Sequence, residues 1–157
     1  MGLLIRFGSA PFNKDDVVDR LFNKHDGTGN RSVRKGVSFL ENDADGIIEM
    51  FHCKEWWRWL DHQIKPFITP ALVQKINKRQ LLETESTYGI LPEICTEGVY
   101  RRLAPREALL AELKEKIPLV AETEDWHAQA KQEILSVIAA AEQCLATYGN
   151  RAILLTE

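Results

Sequence analysis

Apolar side chains recur every third or fourth residue from Trp126 to Tyr148: Trp126, Ala130, Ile134, Val137, Ile138, Ala141, Leu145 and Tyr148. That spacing places them on one helical face. Thr123 is positioned to cap the helix, with Glu124 and Asp125 in its first turn, and Gly149-Asn150 is a natural stop. A helix of about 26 residues approaches 40 Å, enough to cross a small domain. Whatever else this chain forms must cover that one long apolar stripe.

The remaining elements are shorter. Gly2–Phe7 reads as a strand that ends at Gly8. Asn13 caps a helix from Lys14 to about Lys24, with Val17, Val18, Leu21 and Phe22 on one face. His25–Gly36 reads as a basic loop. Val37–Leu40 and Ile47–Phe51 flank the turn formers Asn42 to Gly46, and read as a hairpin. Trp56, Trp59, Leu60 and Ile64 repeat at helical spacing before Pro66. Thr69-Pro70 starts a helix with Leu72, Val73 and Ile76 on its buried stripe, and Glu83–Gly98 is irregular. Pro105 opens a helix with Leu109, Leu110, Leu113 and Ile117, and Pro118 closes it. Arg151–Leu155 reads as a final strand. The expected fold is α+β: several helices packed on a small sheet with strands from both chain termini, and a long C-terminal helix. With 157 residues, 45% of them apolar, the chain is read as a single globular domain over residues 1–157.

Composition narrows the function classes. A net charge of −3 lacks the basic footprint that broad nucleic-acid binding needs. No apolar run reaches the roughly 18–20 residues of a membrane helix. Three scattered cysteines, Cys53, Cys95 and Cys144, read as free thiols in a reducing compartment, so the expected location is the cytoplasm. The charge is unevenly placed. Residues 1–80 carry thirteen Lys/Arg against ten Asp/Glu, and residues 81–157 carry seven against thirteen. The acidic half can steer a basic partner, although an ordinary solvated surface also accounts for it.

No motif for chemistry is intact. Glu41, Asp43, Asp45 and Gly46 resemble the front of a calcium loop, but the twelfth position is His52 instead of a bidentate carboxylate, so a turn is the better reading. His52, Cys53 and His62 lack the paired spacing of a zinc site, and on a strand His52 and Cys53 would face opposite ways. Gly27-Thr28-Gly29 is not followed by the Gly-Lys-Ser/Thr of a phosphate loop. No serine sits in a nucleophile elbow. Cys144 falls beside the apolar stripe, where an inert buried thiol is expected. No catalytic residue, metal or cofactor is therefore assigned.

Two features point toward a binding role. Trp56-Trp57-Arg58-Trp59 gathers three of the four tryptophans. On a helix Trp56 and Trp59 share a face and Trp57 points about 100° away. Core packing explains the whole cluster, but an exposed Trp57 with Arg58 would have the composition of an interface hot spot. The carboxylates Glu83, Glu85, Glu93, Glu97, Glu122, Glu124 and Asp125 carry much of the acidic excess, and they form one surface if their segments adjoin. Helix capping alone explains Glu124 and Asp125.

In size, charge and missing chemistry the whole chain resembles immunity proteins of bacterial contact-dependent and interbacterial toxin systems. The resemblance carries over no individual residue. It implies a cytoplasmic inhibitor that covers the active site of a basic toxin domain, such as a nuclease, with an acidic surface. Two alternatives stand beside it. One is a small enzyme using His25 or His52. The other is an interaction or regulatory subunit that pairs through the Trp56–Trp59 segment.

Overall fold

The computed structural model describes residues 2–9, 38–39, 47–69, 99–103 and 106–156. Five strands form one antiparallel sheet: β1 (Leu3–Ser9), β2 (Ser38–Phe39), β3 (Ile47–Met50), β4 (Val99–Arg102) and β5 (Ala152–Thr156). Three α-helices accompany it among the described residues: α1 (Cys53–Ile64), α2 (Glu107–Lys116) and α3 (His127–Tyr148). The architecture is α+β.

The two ends of the chain meet at the centre of the sheet. β1 and β5 pair antiparallel over five positions, from Ile5 opposite Thr156 to Ser9 opposite Ala152. β4 flanks β5, and β2 and β3 flank β1. The register sorts the side chains by the twofold period of a strand. Ile5 and Phe7 on β1 share a face with Ala152 and Leu154 on β5, and all four belong to the main core. Ile153 and Leu155 point the other way and are also buried. Every residue of β5 is buried, which explains why Ala152–Leu155 is continuously apolar instead of alternating.

The hairpin expected around Asn42–Gly46 is corrected. Ser38 and Phe39 pair with Ser9 and Gly8, and Ile47 to Met50 pair with Arg6 to Leu3. Both strands therefore run in one direction along the same edge of β1, and only Phe7 separates their partners. Turn-forming residues between two apolar runs signal a break in pairing. They do not say whether the chain reverses or resumes along the same neighbour. The helices expected at Lys14–Lys24 and after Thr69-Pro70, the His25–Gly36 loop and the irregular Glu83–Gly98 stretch lie outside the described residues.

α3 spans 22 residues, about 33 Å, and packs on β1, β5, α1 and α2. Its buried side includes Ala130, Ile134, Val137, Ile138, Ala141 and Leu145. At its C-terminus Gly149 has φ 56° and ψ −128°, and its N–H bonds to the Leu145 carbonyl. That backbone conformation is open to glycine and strained for other residues, and it turns the chain back into β5. Ahead of α3, α2 presents Leu109, Leu110 and Leu113, and a 3-10 turn, Ile117–Leu119, contains Pro118 as expected.

Cys144 ties the helix to the sheet. Its thiol is fully buried and donates to the Gly8 carbonyl at 3.2 Å, with the Ile153 carbonyl at 3.8 Å. Gly8 and Ile153 are register partners across the central strand pair. Burial pushes the thiol from 9.0 to about 11 and outweighs a smaller opposing effect of the Gly8 and Ile153 backbone. The folded state favours the neutral thiol, so its contribution is complete below pH 9 and is lost as pH rises toward 11. In urea unfolding from pH 7 to pH 11, the wild-type protein should lose stability more steeply than C144A above pH 9. The stability gap between the two, about 1 kcal/mol at neutral pH for one lost buried group, should shrink across that window. Parallel curves would show that the thiol is not sealed in the fold.

Candidate functional site

A cleft of about 680 Å³ opens between α1 and the segment leading into α3. From α1 it is lined by Lys54, Glu55, Arg58, Trp59, His62 and Gln63, and from the other wall by Thr123, Glu124, Trp126 and His127. The α1 residues fall at i, i+1, i+4, i+5, i+8 and i+9, one continuous stripe of a helix. The opposite stripe, Trp56, Trp57, Leu60 and Ile64, is buried in the core.

Core packing accounts for Trp56 and Trp57, and the alternative of an exposed Trp57 beside Arg58 is corrected: Trp57 is only 2% exposed. The i+3 pairing of Trp56 with Trp59 suggested one core face. Trp57, Leu60 and Ile64 also satisfy helical spacing at i, i+3 and i+7, and that set faces the core. Trp59 takes the half-exposed position, and Arg58 is exposed. A pairing surface built on the whole Trp56–Trp59 segment is likewise not what the structure presents, because only Trp59 and Arg58 reach the outside.

An aromatic cluster forms the cleft floor. Trp59 stacks on His127 with ring centroids 3.9 Å apart and an 11° interplanar angle. Trp126 meets Trp59 edge-on at 5.2 Å and His127 edge-on at 4.3 Å. Behind it, Trp56 lies parallel to Trp126 at 6.3 Å, and His52 tilts over Trp56 at 5.2 Å. Such arrangements add stabilisation beyond the area they bury. His52 and Cys53, weighed in the sequence only for the case of a strand, do not sit on one. His52 precedes α1 and Cys53 is its first residue.

Two buried polar side chains of α3 hold the opposite wall. His127, only 3% exposed, accepts N–H bonds at Nδ1 from Thr123 at 3.0 Å and Glu124 at 3.1 Å. Thr123 was expected to cap the helix, but the structure reverses the roles. A side chain inside the first turn reaches back to the amides ahead of it, as the acidic member of a capping box does. Lys131 is also buried. Its ammonium donates to the carbonyls of Pro118 at 3.2 Å and Val120 at 2.8 Å and to Glu122 Oε1 at 3.1 Å, which uses all three of its donors. Nothing in residue spacing marks His127 or Lys131 for these tasks. The only sequence signal is a polar residue where the apolar stripe should continue.

Between these anchors, residues 121–125 are all exposed. Glu122, Glu124 and Asp125, predicted as partner-binding residues, therefore lie together on one short ledge beside Arg58 and the cleft. Glu124 also accepts from the Trp126 indole N–H, which orients that ring, and Glu122 is neutralised in part by Lys131. Glu83, Glu85, Glu93 and Glu97 lie outside the described residues. Compared with family models, with curated proteins and with solved structures, the chain matches none.

Three outcomes are expected. W57A should cost roughly 3–5 kcal/mol in chemical denaturation, and W59A distinctly less; equal costs would contradict the burial pattern. H127A should speed amide hydrogen exchange at Thr123 and Glu124 by about tenfold, and K131M should destabilise by roughly 2–3 kcal/mol through two orphaned carbonyls. Unchanged exchange at those two amides would remove His127 from its anchoring role.

Proposed function

We propose that this protein is a cytoplasmic protein-binding inhibitor of the immunity-protein kind, which neutralises a basic bacterial toxin domain by covering its active site. The observation that carries the reading is the ledge at residues 121–125. It is exposed along its length and acidic at Glu122, Glu124 and Asp125, yet its flanking backbone is held by the buried side chains of His127 and Lys131. A surface segment ordered before it meets a partner loses little conformational entropy on binding. Carboxylates on such a segment speed encounter with a basic surface and set its orientation. Trp59, Trp126 and Arg58 next to the ledge supply residue types that anchor interfaces. The acidic excess of residues 81–157 supports the same polarity of partner.

Immobilised wild-type protein and the charge-reversal variant E124K/D125K, each exposed to native bacterial lysate, test the proposal. The wild type should retain a basic protein whose toxicity is suppressed when the two are co-expressed. The variant should bind that protein at least about tenfold more weakly, mainly through slower association that also falls with salt. A partner held equally by both proteins would move the interface off the ledge. Capture of no toxic partner would sink the inhibitor reading.

A further inference from the structure

The cleft carries a donor that the fold does not use. Because His127 accepts two amide bonds at Nδ1, its ring proton sits on Nε2. No described protein group accepts from Nε2, that atom is not among the buried polar atoms left without a partner, and His127 is one of the residues that line the cleft. The ring cannot swing away to find water elsewhere. It is 97% buried, stacked on Trp59 and edge-on to Trp126. A fixed, nearly buried N–H on a side chain that borders a cavity calls for an acceptor from outside the chain.

The surrounding groups define that acceptor. Arg58 and Lys54 line the same cleft and make no ion pair with any described residue. The half-exposed indoles of Trp59 and Trp126 offer flat apolar surface. Two carboxylates also face the space: Glu124 is engaged by the Trp126 indole N–H, and Glu55 lies exposed on α1. A phosphate is a poorer match. The backbone amides of Thr123 and Glu124, which an anion at the start of a helix would use, are already bonded to His127.

We propose that this cleft binds a flat aromatic carboxylate. Its ring lies against Trp59 and Trp126, its carboxylate meets the planar fork of the Arg58 guanidinium, and one oxygen accepts from His127 Nε2–H. The volume, about 680 Å³, suits a small organic ligand. The cleft shares Arg58, Trp59, Trp126 and Glu124 with the surface proposed for the partner, but the small-ligand site can hold whether or not an inhibited partner exists.

Benzoate and benzylamine, which share a ring and differ in charge, are the probes. In ¹⁵N-correlated NMR of the full chain, benzoate at millimolar concentration should shift the indole N–H signals of Trp59 and Trp126 and the Nε2–H of His127 along one saturable curve. Benzylamine should bind at least about tenfold more weakly. R58Q changes an exposed side chain, so it should keep the wild-type fold and thermal midpoint while weakening benzoate at least about fivefold. The assignment fails if benzylamine equals or exceeds benzoate, which would make the cleft a cation site ruled by Glu55 and Glu124. It also fails if R58Q binds benzoate as the wild type does, or if none of the three signals moves.

Discussion

The antiparallel pairing of β1 with β5 is the constraint on which the other elements depend. It joins the first strand to the last across nearly the whole sequence, and such closure is costly in chain entropy. The return comes from burial. β5 is covered along its full length, and Ile5 and Phe7 complete one face of the pair with Ala152 and Leu154. α3 lies against that pair, and the Cys144 thiol reaches a carbonyl of β1 and approaches one of β5. Gly149 allows the helix to turn directly into the strand it covers. Remove this pairing, and α3 has no sheet against which to bury its stripe.

Once α3 is placed, its first two turns organise the surface. The helix begins without a side-chain cap at Trp126. The amides ahead of it are satisfied by His127 from within the helix, and the carbonyls of the preceding turn by Lys131 one turn later. Both polar groups are buried, and each would be costly if unpaired. Their bonds therefore transmit the rigidity of the core to residues 121–125. One mechanism thus shapes two neighbouring features: an ordered acidic ledge on the outside and, beside it, a cleft that His127 helps to line.

The α1 helix shows how a small rotation redistributes roles. Four consecutive residues, Trp56 to Trp59, put aromatic mass on every side of a helix except that of Arg58. Packing then chooses which indoles are buried. Trp56 and Trp57 go inward with Leu60 and Ile64, while Trp59 borders the cleft and stacks on His127. The half-exposed neighbour of Arg58 is thus Trp59, and the aromatic surface joins that of Trp126 from the other wall.

Local periodicity and punctuation were enough to recognise α1, α2 and α3, the strands at both ends, the stops at Pro66, Pro118 and Gly149, and the buried thiol of Cys144. Each depends on near neighbours in the chain, and the i, i+3, i+4 repeat or the alternation of a strand reports those directly. The tertiary structure decided what depends on distant partners. It set the two strands after Ser38 along one edge of β1 instead of in a hairpin, turned Trp57 inward, and gave His127 and Lys131 their anchoring bonds. It also brought the stripe from Lys54 to Gln63 opposite Thr123–His127. Residue spacing carries no record of such meetings, because a side chain's hydrogen-bond partner and its burial are settled only when separate elements dock.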